Sequence, residues 1–225
     1  MKRAAVSGGT GAIGRAIVGR LAASGYEVFA LGRSVEKLEA LASPGKVHPL
    51  AVDLESPAGP QSVAAILGGR LDVLVLAAGA YEQATFAEGD EGALGRLWSI
   101  HVDAVWRLTR ALLPALLAAR GDVVFVNSSV RAAAGLAPYG AAKAAQRALA
   151  DGLRAEVNDR GVRVLSIYPG RTAGDLQSTL FEAEGRVYDA SRLLQPDDIA
   201  RSILATLELP RTAECTDLHL RPMAP

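Results

Sequence analysis

The chain has 225 residues, half of them apolar and 21% charged, which is enough to bury a sizeable core in a single domain. Lys plus Arg balances Asp plus Glu at 24 each, removing the net field that would draw the molecule to nucleic acid, an anionic membrane or any strongly charged partner. Cys215 is the only cysteine, so no intrachain disulfide is expected and a reducing setting such as cytoplasm is the simpler one.

The opening "MKRAAVSGGT" has too few apolar residues for a signal-peptide core. The apolar stretches "LDVLVLAAGA" and "ALLPALLAA" are too short to span a bilayer and fit a buried strand and a core helix. Neither repeats nor linkers divide the chain.

In chain order, "RAAVSG" reads as a strand followed by a helix from about Ile13 to Ala23, and "YEVFALG" as a strand followed by a helix through "VEKLEALA". "VHPLAVD" precedes a shorter helix near Gln61 to Leu67, and "LDVLVLAAG" a long helical region that includes Leu94 to Ala119. "DVVFVNSS" leads into a helix carrying "PYGAAKAAQ", and "VRVLSIYPG" into an irregular segment and a helix near Asp197 to Leu207. "TDLHLRP" supplies a last strand. Apolar runs such as "DVLVLAA" and "VVFV" suit strands buried on both faces. The expected fold is therefore α/β, one doubly wound, Rossmann-type domain with a parallel sheet of about seven strands flanked by helices. Its ligands should lie beyond the carboxyl ends of the strands.

The first such end carries "SGGTGAIG", Ser7 to Gly14. Glycines at 8, 11 and 14 permit a tight turn and let backbone N–H groups approach a pyrophosphate at a helix N-terminus. Gly8, Thr10, Gly11, Ile13 and Gly14 are the candidate cofactor contacts here. A glycine turn alone is a weak signal, but this one sits in the first βα unit of an alternating chain. At the end of the second strand an acidic residue would bond the 2′-hydroxyl of NAD, yet the chain reads "LGRS". Arg33 offers a fork of donors suited to a 2′-phosphate, so NADP(H) is favoured over NAD(H). Asp53, followed by Leu54, either accepts from the adenine amino group or caps the following turn.

Tyr139 and Lys143 stand four residues apart and project from one helix face. A phenol titrates near pH 10 and is a poor proton donor or acceptor at neutrality, whereas a nearby ammonium favours phenolate and draws its pKa down. An isolated pair of this kind usually means a core tyrosine beside a solvated lysine. Here it has neighbours in order: the glycine turn, "AAG" after strand four, "NSS" after strand five and "YPG" after strand six.

Together these motifs resemble the short-chain dehydrogenase/reductase family over essentially the whole chain. The resemblance implies that Tyr139 is the catalytic acid/base, that Lys143 lowers its pKa and holds the nicotinamide ribose, and that a serine polarises the substrate oxygen. It adds Ala78, Gly79, Pro169, Gly170 and Thr172 to the cofactor contacts, the last through its backbone. Ser128 is the expected serine, eleven residues before the tyrosine where thirteen is usual, with Ser129 as fallback. No metal is implied. Homodimers or homotetramers built on the two long helices are, with Trp98, Val105, Leu108, Leu112 and Leu116 as candidates for an additional buried face of the first.

The chain departs from the family pattern in several places. Ala12 stands where glycine is usual, and "LAAG" replaces "NNAG", losing two amides that brace the sheet. His101 occupies the place of an asparagine that relays protons through water; it either continues that role or is simply packed. Gly174 stands where many members have a threonine. The main expectation is an NADPH-dependent reductase, or the reverse dehydrogenase, for a small or medium, partly apolar carbonyl/alcohol pair, covered by a segment at about 171–194. The alternatives are an NADP(H)-binding sensor with little turnover, which the departures favour, and an epimerase, for which the chain leaves no substrate domain.

Overall fold

A computed structural model describes residues 1–43, 45–131 and 133–223. Seven strands form one sheet: β1 (Arg3–Ser7), β2 (Glu27–Gly32), β3 (Val47–Ala51), β4 (Val73–Leu76), β5 (Asp122–Val126), β6 (Arg163–Pro169) and β7 (Asp217–Leu220). Their order is β3-β2-β1-β4-β5-β6-β7. Every neighbouring pair is parallel, as the doubly buried strand sequences require.

Among the described residues the α-helices are α1 (Ala12–Ala23), α2 (Val35–Glu39), α3 (Gly59–Leu67), α4 (Ala93–Trp98), α5 (Ala104–Ala119), α6 (Ala137–Val157), α7 (Asp175–Ala183) and α8 (Pro196–Leu207). Helices α1 and α8 cover one face of the sheet through Ile17, Leu21, Ile199 and Ile203. Helices α3, α5 and α6 cover the other, through Val63, Leu108, Leu112, Ala150 and Val157. Two crossover directions from β1 leave a crevice between β1 and β4, the switch point where ligands bind in such sheets.

Three expectations are refined. The helix in "VEKLEALA" stops at Glu39. The β4 run forms a strand only over Val73–Leu76, because Ala77 and Ala78 turn away to donate to Ser7. The long helical region is divided by a π-helical turn over Ser99–Asp103. Val105, Leu108, Leu112 and Leu116 are buried in this chain's own core, so they offer no second face; Leu94, Trp98 and Trp106 are exposed large apolar residues of that region.

Candidate active site

At the end of β1 the chain reverses tightly. Gly8 has φ +66°, and a Cβ there would lie 2.7 Å from the Ala78 amide nitrogen. A Cβ on Gly14 would lie 2.1 Å from the Gly8 carbonyl oxygen, so helix α1 meets the turn at a distance that excludes any side chain. No side chain caps α1 and no acidic residue stands in its first turn, leaving a positive helix end with free N–H groups. Ser7 secures the crevice from below. Its buried hydroxyl accepts from the N–H of Ala77 at 3.0 Å and of Ala78 at 3.1 Å, joining β1 to β4. This brace stands where "LAAG" carries no side-chain amide, and only a strand pairing that aligns Ser7 with Leu76 reveals it.

Arg33 follows β2 and is 78% exposed, 4.0 Å from Glu55. Thr10 packs over Gly32, where a Cβ would meet its methyl at 3.4 Å. The Asp53 carboxylate accepts from the Glu55 N–H at 3.0 Å, a turn cap. Leu54 is buried in the core, so its backbone is what it can offer a cofactor.

At the other end of the site, Tyr139 lies in the first turn of α6 and Lys143 one turn on. The Lys143 Nζ is 5.9 Å from the Tyr139 ring centre and donates to the Val126 carbonyl at 3.1 Å and to Gln146 Oε1 at 2.9 Å. Tyr81 packs against Tyr139 at 5.0 Å and His101 meets its edge at 5.7 Å. Ser128 is the serine that acts on the Tyr139 phenol, favouring its ionised form; the Ser129 N–H instead donates to the Pro169 carbonyl.

Electrostatically, this arrangement differs from the sequence expectation. Burial pushes the Tyr139 phenol above its ordinary value, opposed by the Ser128 hydrogen bond and reinforced by Tyr81. Burial also lowers Lys143 to about 7. Desolvation thus outweighs the pull of the ammonium, which is tethered to two neutral oxygens.

His101 sits on the π-helical turn, fully enclosed, its ring against Gly79, where a Cβ would fall 2.5 Å from its Cε1. Its Nε2 lies 2.8 Å from the Ala80 carbonyl oxygen and 3.3 Å from the Ala80 amide nitrogen, donating to the first in one tautomer and accepting from the second in the other. Nδ1 has no protein partner. Burial first, and the Lys143 charge second, lower its pKa to about 3 against the Ala80 contact, so the imidazole is neutral near pH 7.

Pro169 ends β6, and Gly170 is packed under the final segment, where a Cβ would meet Pro222 at 3.1 Å. The segment at about 171–194 is closed at its base by a bridge between Thr172 and Leu194, and the Thr172 hydroxyl donates to the Gly170 carbonyl. Gly174 has φ +150°, and a Cβ there would come 3.0 Å from the Ala12 Cβ. The two departures at 12 and 174 are therefore in contact, one gaining a methyl where the other has lost a side chain.

A family model described as short chain dehydrogenase matches residues 2–185. The chain belongs to the short-chain dehydrogenase/reductase family. Among its relatives is an uncharacterized short-chain type dehydrogenase/reductase of Sinorhizobium fredii, 33% identical over 97% of this chain and 90% of the relative. The serine 3-dehydrogenase of Agrobacterium fabrum is 32% identical over 97% of this chain and 92% of its own length. In structure, the chain is similar to an alcohol dehydrogenase from the archaeon Thermococcus sibiricus complexed with 5-hydroxy-NADP, with TM-score 0.87 and 26% identity, covering 99% of this chain and 97% of that one. As a short-chain dehydrogenase/reductase it is an oxidoreductase of Rossmann fold. No described helix is long and apolar enough to cross a membrane.

Proposed function

We propose that the protein is an NADP(H)-dependent oxidoreductase that interconverts a small carbonyl compound and the corresponding alcohol. The observation that carries this reading is the convergence of Ser128, Tyr139 and Lys143 at the carboxyl ends of the strands that also hold the glycine turn. The crevice fits a dinucleotide: a Cβ at Gly8 or Gly14 would fill the cradle, and the uncapped start of α1 suits a pyrophosphate. Arg33, exposed at the end of β2 with no acidic residue in "LGRS", suits a 2′-phosphate, and the archaeal structural relative carries an NADP analogue.

Bound NADP(H) supplies or accepts the hydride. Tyr139 exchanges the proton with the substrate oxygen through its phenol, and the Ser128 hydroxyl donates to that same oxygen. Lys143, with one N–H left after its two bonds, positions the ribose and stabilises developing phenolate charge. A dinucleotide held by the glycine turn and Lys143 would exclude water from the crevice, and that exclusion would strengthen the attraction between the Lys143 ammonium and a Tyr139 phenolate. The segment Arg171–Leu194 covers the substrate, with Leu176 and Val187 exposed on it. Self-association through the exposed Trp98 and Trp106 and a cytoplasmic setting belong to the same proposal.

The test is oxidation of NADPH and NADH, followed by absorbance, against a panel of aldehydes, ketones and quinones. Tyr139→Phe is expected to lose about 10²- to 10⁴-fold in turnover while keeping cofactor binding. Tight NADPH binding without turnover by the wild type across that panel would replace the enzyme by a cofactor sensor. A preference for NADH would remove the role of Arg33.

A further inference from the structure

We propose that Gln146 is a positioning residue for the Tyr139–Lys143 pair: its side-chain carbonyl and the Val126 carbonyl together hold the Lys143 ammonium in place beside Tyr139. The inference rests on the function proposed above for what the pair does, but not for the geometry.

Gln146 is completely buried on the flank of α6 whose other enclosed residues are Ala142, Lys143, Ala150 and Val157. An amide is costly at such a position unless its polar atoms are bonded, and here only half of it is. Oε1 accepts from Lys143 at 2.9 Å, while Nε2 has no protein partner. An apolar side chain would fill the space without stranding a donor, so the one satisfied contact, to Lys143, is what the amide contributes.

Lys143 needs that contact because, among the described residues, its hydrogen-bond partners are neutral oxygens and it makes no ion pair. The π-helical turn presents His101, neutral; α6 presents Tyr139, itself packed on Tyr81. Strand β5 contributes the Val126 carbonyl. Along the outer flank of α6, a cleft of about 890 Å³ that Lys143 also lines is bordered by Arg131, Arg147, Tyr168, His219 and Arg221, with no carboxylate in its walls. Burial alone lowers the Lys143 pKa to about 7. Two neutral oxygens are thus what favours the protonated amine, and they occupy two of its three N–H groups. Since Gln146 lies three residues along the same helix, its grip fixes the lysine side chain to the element that carries Tyr139.

The chain contains four lysines, Lys2, Lys37, Lys46 and Lys143, so lysine labelled with ¹³C at Cε reports Lys143 directly, identified by the signal missing from Lys143→Met. The pH titration of that signal is followed in the full-length protein without substrate. Gln146→Leu, which removes the acceptor, is expected to move the Lys143 midpoint by about one pH unit toward acid; Gln146→Glu, which replaces it by a charged one, is expected to move it at least as far toward alkali. If the leucine variant does not fold, Gln146→Met removes the same oxygen from an unbranched side chain. A midpoint that stays put, or moves the same way in the apolar and the charged variants, overturns the proposal and leaves Gln146 as packing. Turnover shows which reading has failed: an inactive wild type with opposite midpoint shifts sinks the enzyme, whereas an active one with an unmoved midpoint sinks only the role of Gln146.

Discussion

The two ends of the site are built on opposite physical grounds. At the β1–α1 turn the structure works by leaving atoms out: Gly8 and Gly14 stand where any Cβ would strike backbone, and the resulting space is lined by peptide groups. At the start of α6 it works by enclosing polar groups, with Lys143, Gln146 and His101 all withdrawn from water. The first end tolerates no added volume but is insensitive to pH. The second has its energetics set by proton occupancy, because burial moves every titratable group away from its charged form. The difference teaches that one crevice can be assembled from a steric rule and an electrostatic one with few shared residues.

Substitutions can break that division. The largest effect is expected from Gly14→Ala, whose methyl would sit 2.1 Å from the Gly8 carbonyl oxygen with only backbone to give way. A loss of about 3 kcal/mol or more, seen as a melting temperature lower by roughly 10 °C, and loss of NADPH binding are expected. The deficit should be the same at pH 5 and pH 8. A deficit that changes with pH would show that the steric end is coupled to the ionisable one.

A smaller and pH-dependent effect is expected from His101. Its folded pKa, about 3, lies below the unfolded value of 6.5, so the unfolded chain binds the extra proton first as pH falls. Stability is therefore lost between about pH 6.5 and pH 3, with a cost at pH 5 relative to pH 7 of about 2 kcal/mol. His101→Asn removes the titrating ring, and thermal melts at the two pH values should show that much less acid sensitivity than the wild type. An unchanged acid sensitivity would mean that His101 is solvated in solution.

The smallest effect sharpens the boundary between the ends, where Ala12 and Gly174 touch. Gly174→Thr places a Cβ 3.0 Å from the Ala12 methyl at a φ of +150°. About 1 kcal/mol, or roughly 2–4 °C in melting temperature, should be lost. In an Ala12→Gly background the steric part of that loss should disappear, leaving the backbone strain. Equal losses in both backgrounds would show that the two positions vary independently.

Much of this was legible from residue order. Alternating apolar runs and amphipathic stretches predicted the parallel sheet because a strand covered on both faces has no polar positions to spare, as "VVFV" has none. The glycine turn and the helical spacing of Tyr139 and Lys143 are local features, so local pattern revealed them. Ser7, Gln146 and Tyr81 escaped notice. Each acts across the fold, Ser7 on residues seventy positions away, and nothing in a serine beside a glycine turn announces which amides it will meet. The π-helical turn was hidden for a related reason, since "SIHVD" has ordinary helical composition and only its packing places His101 against Gly79.

The sequence by itself determined the fold class and the placing of the glycine turn, Tyr139 and Lys143 just after strands, since these follow from periodicity and chain direction. Tertiary structure alone decided the charge state of those groups. A phenol and an amine on one helix face can raise or lower each other's affinity for protons, and the outcome depends on how much water and which oxygens the fold leaves around them. Here the enclosure of α6 leaves the Val126 and Gln146 carbonyls, and desolvation prevails.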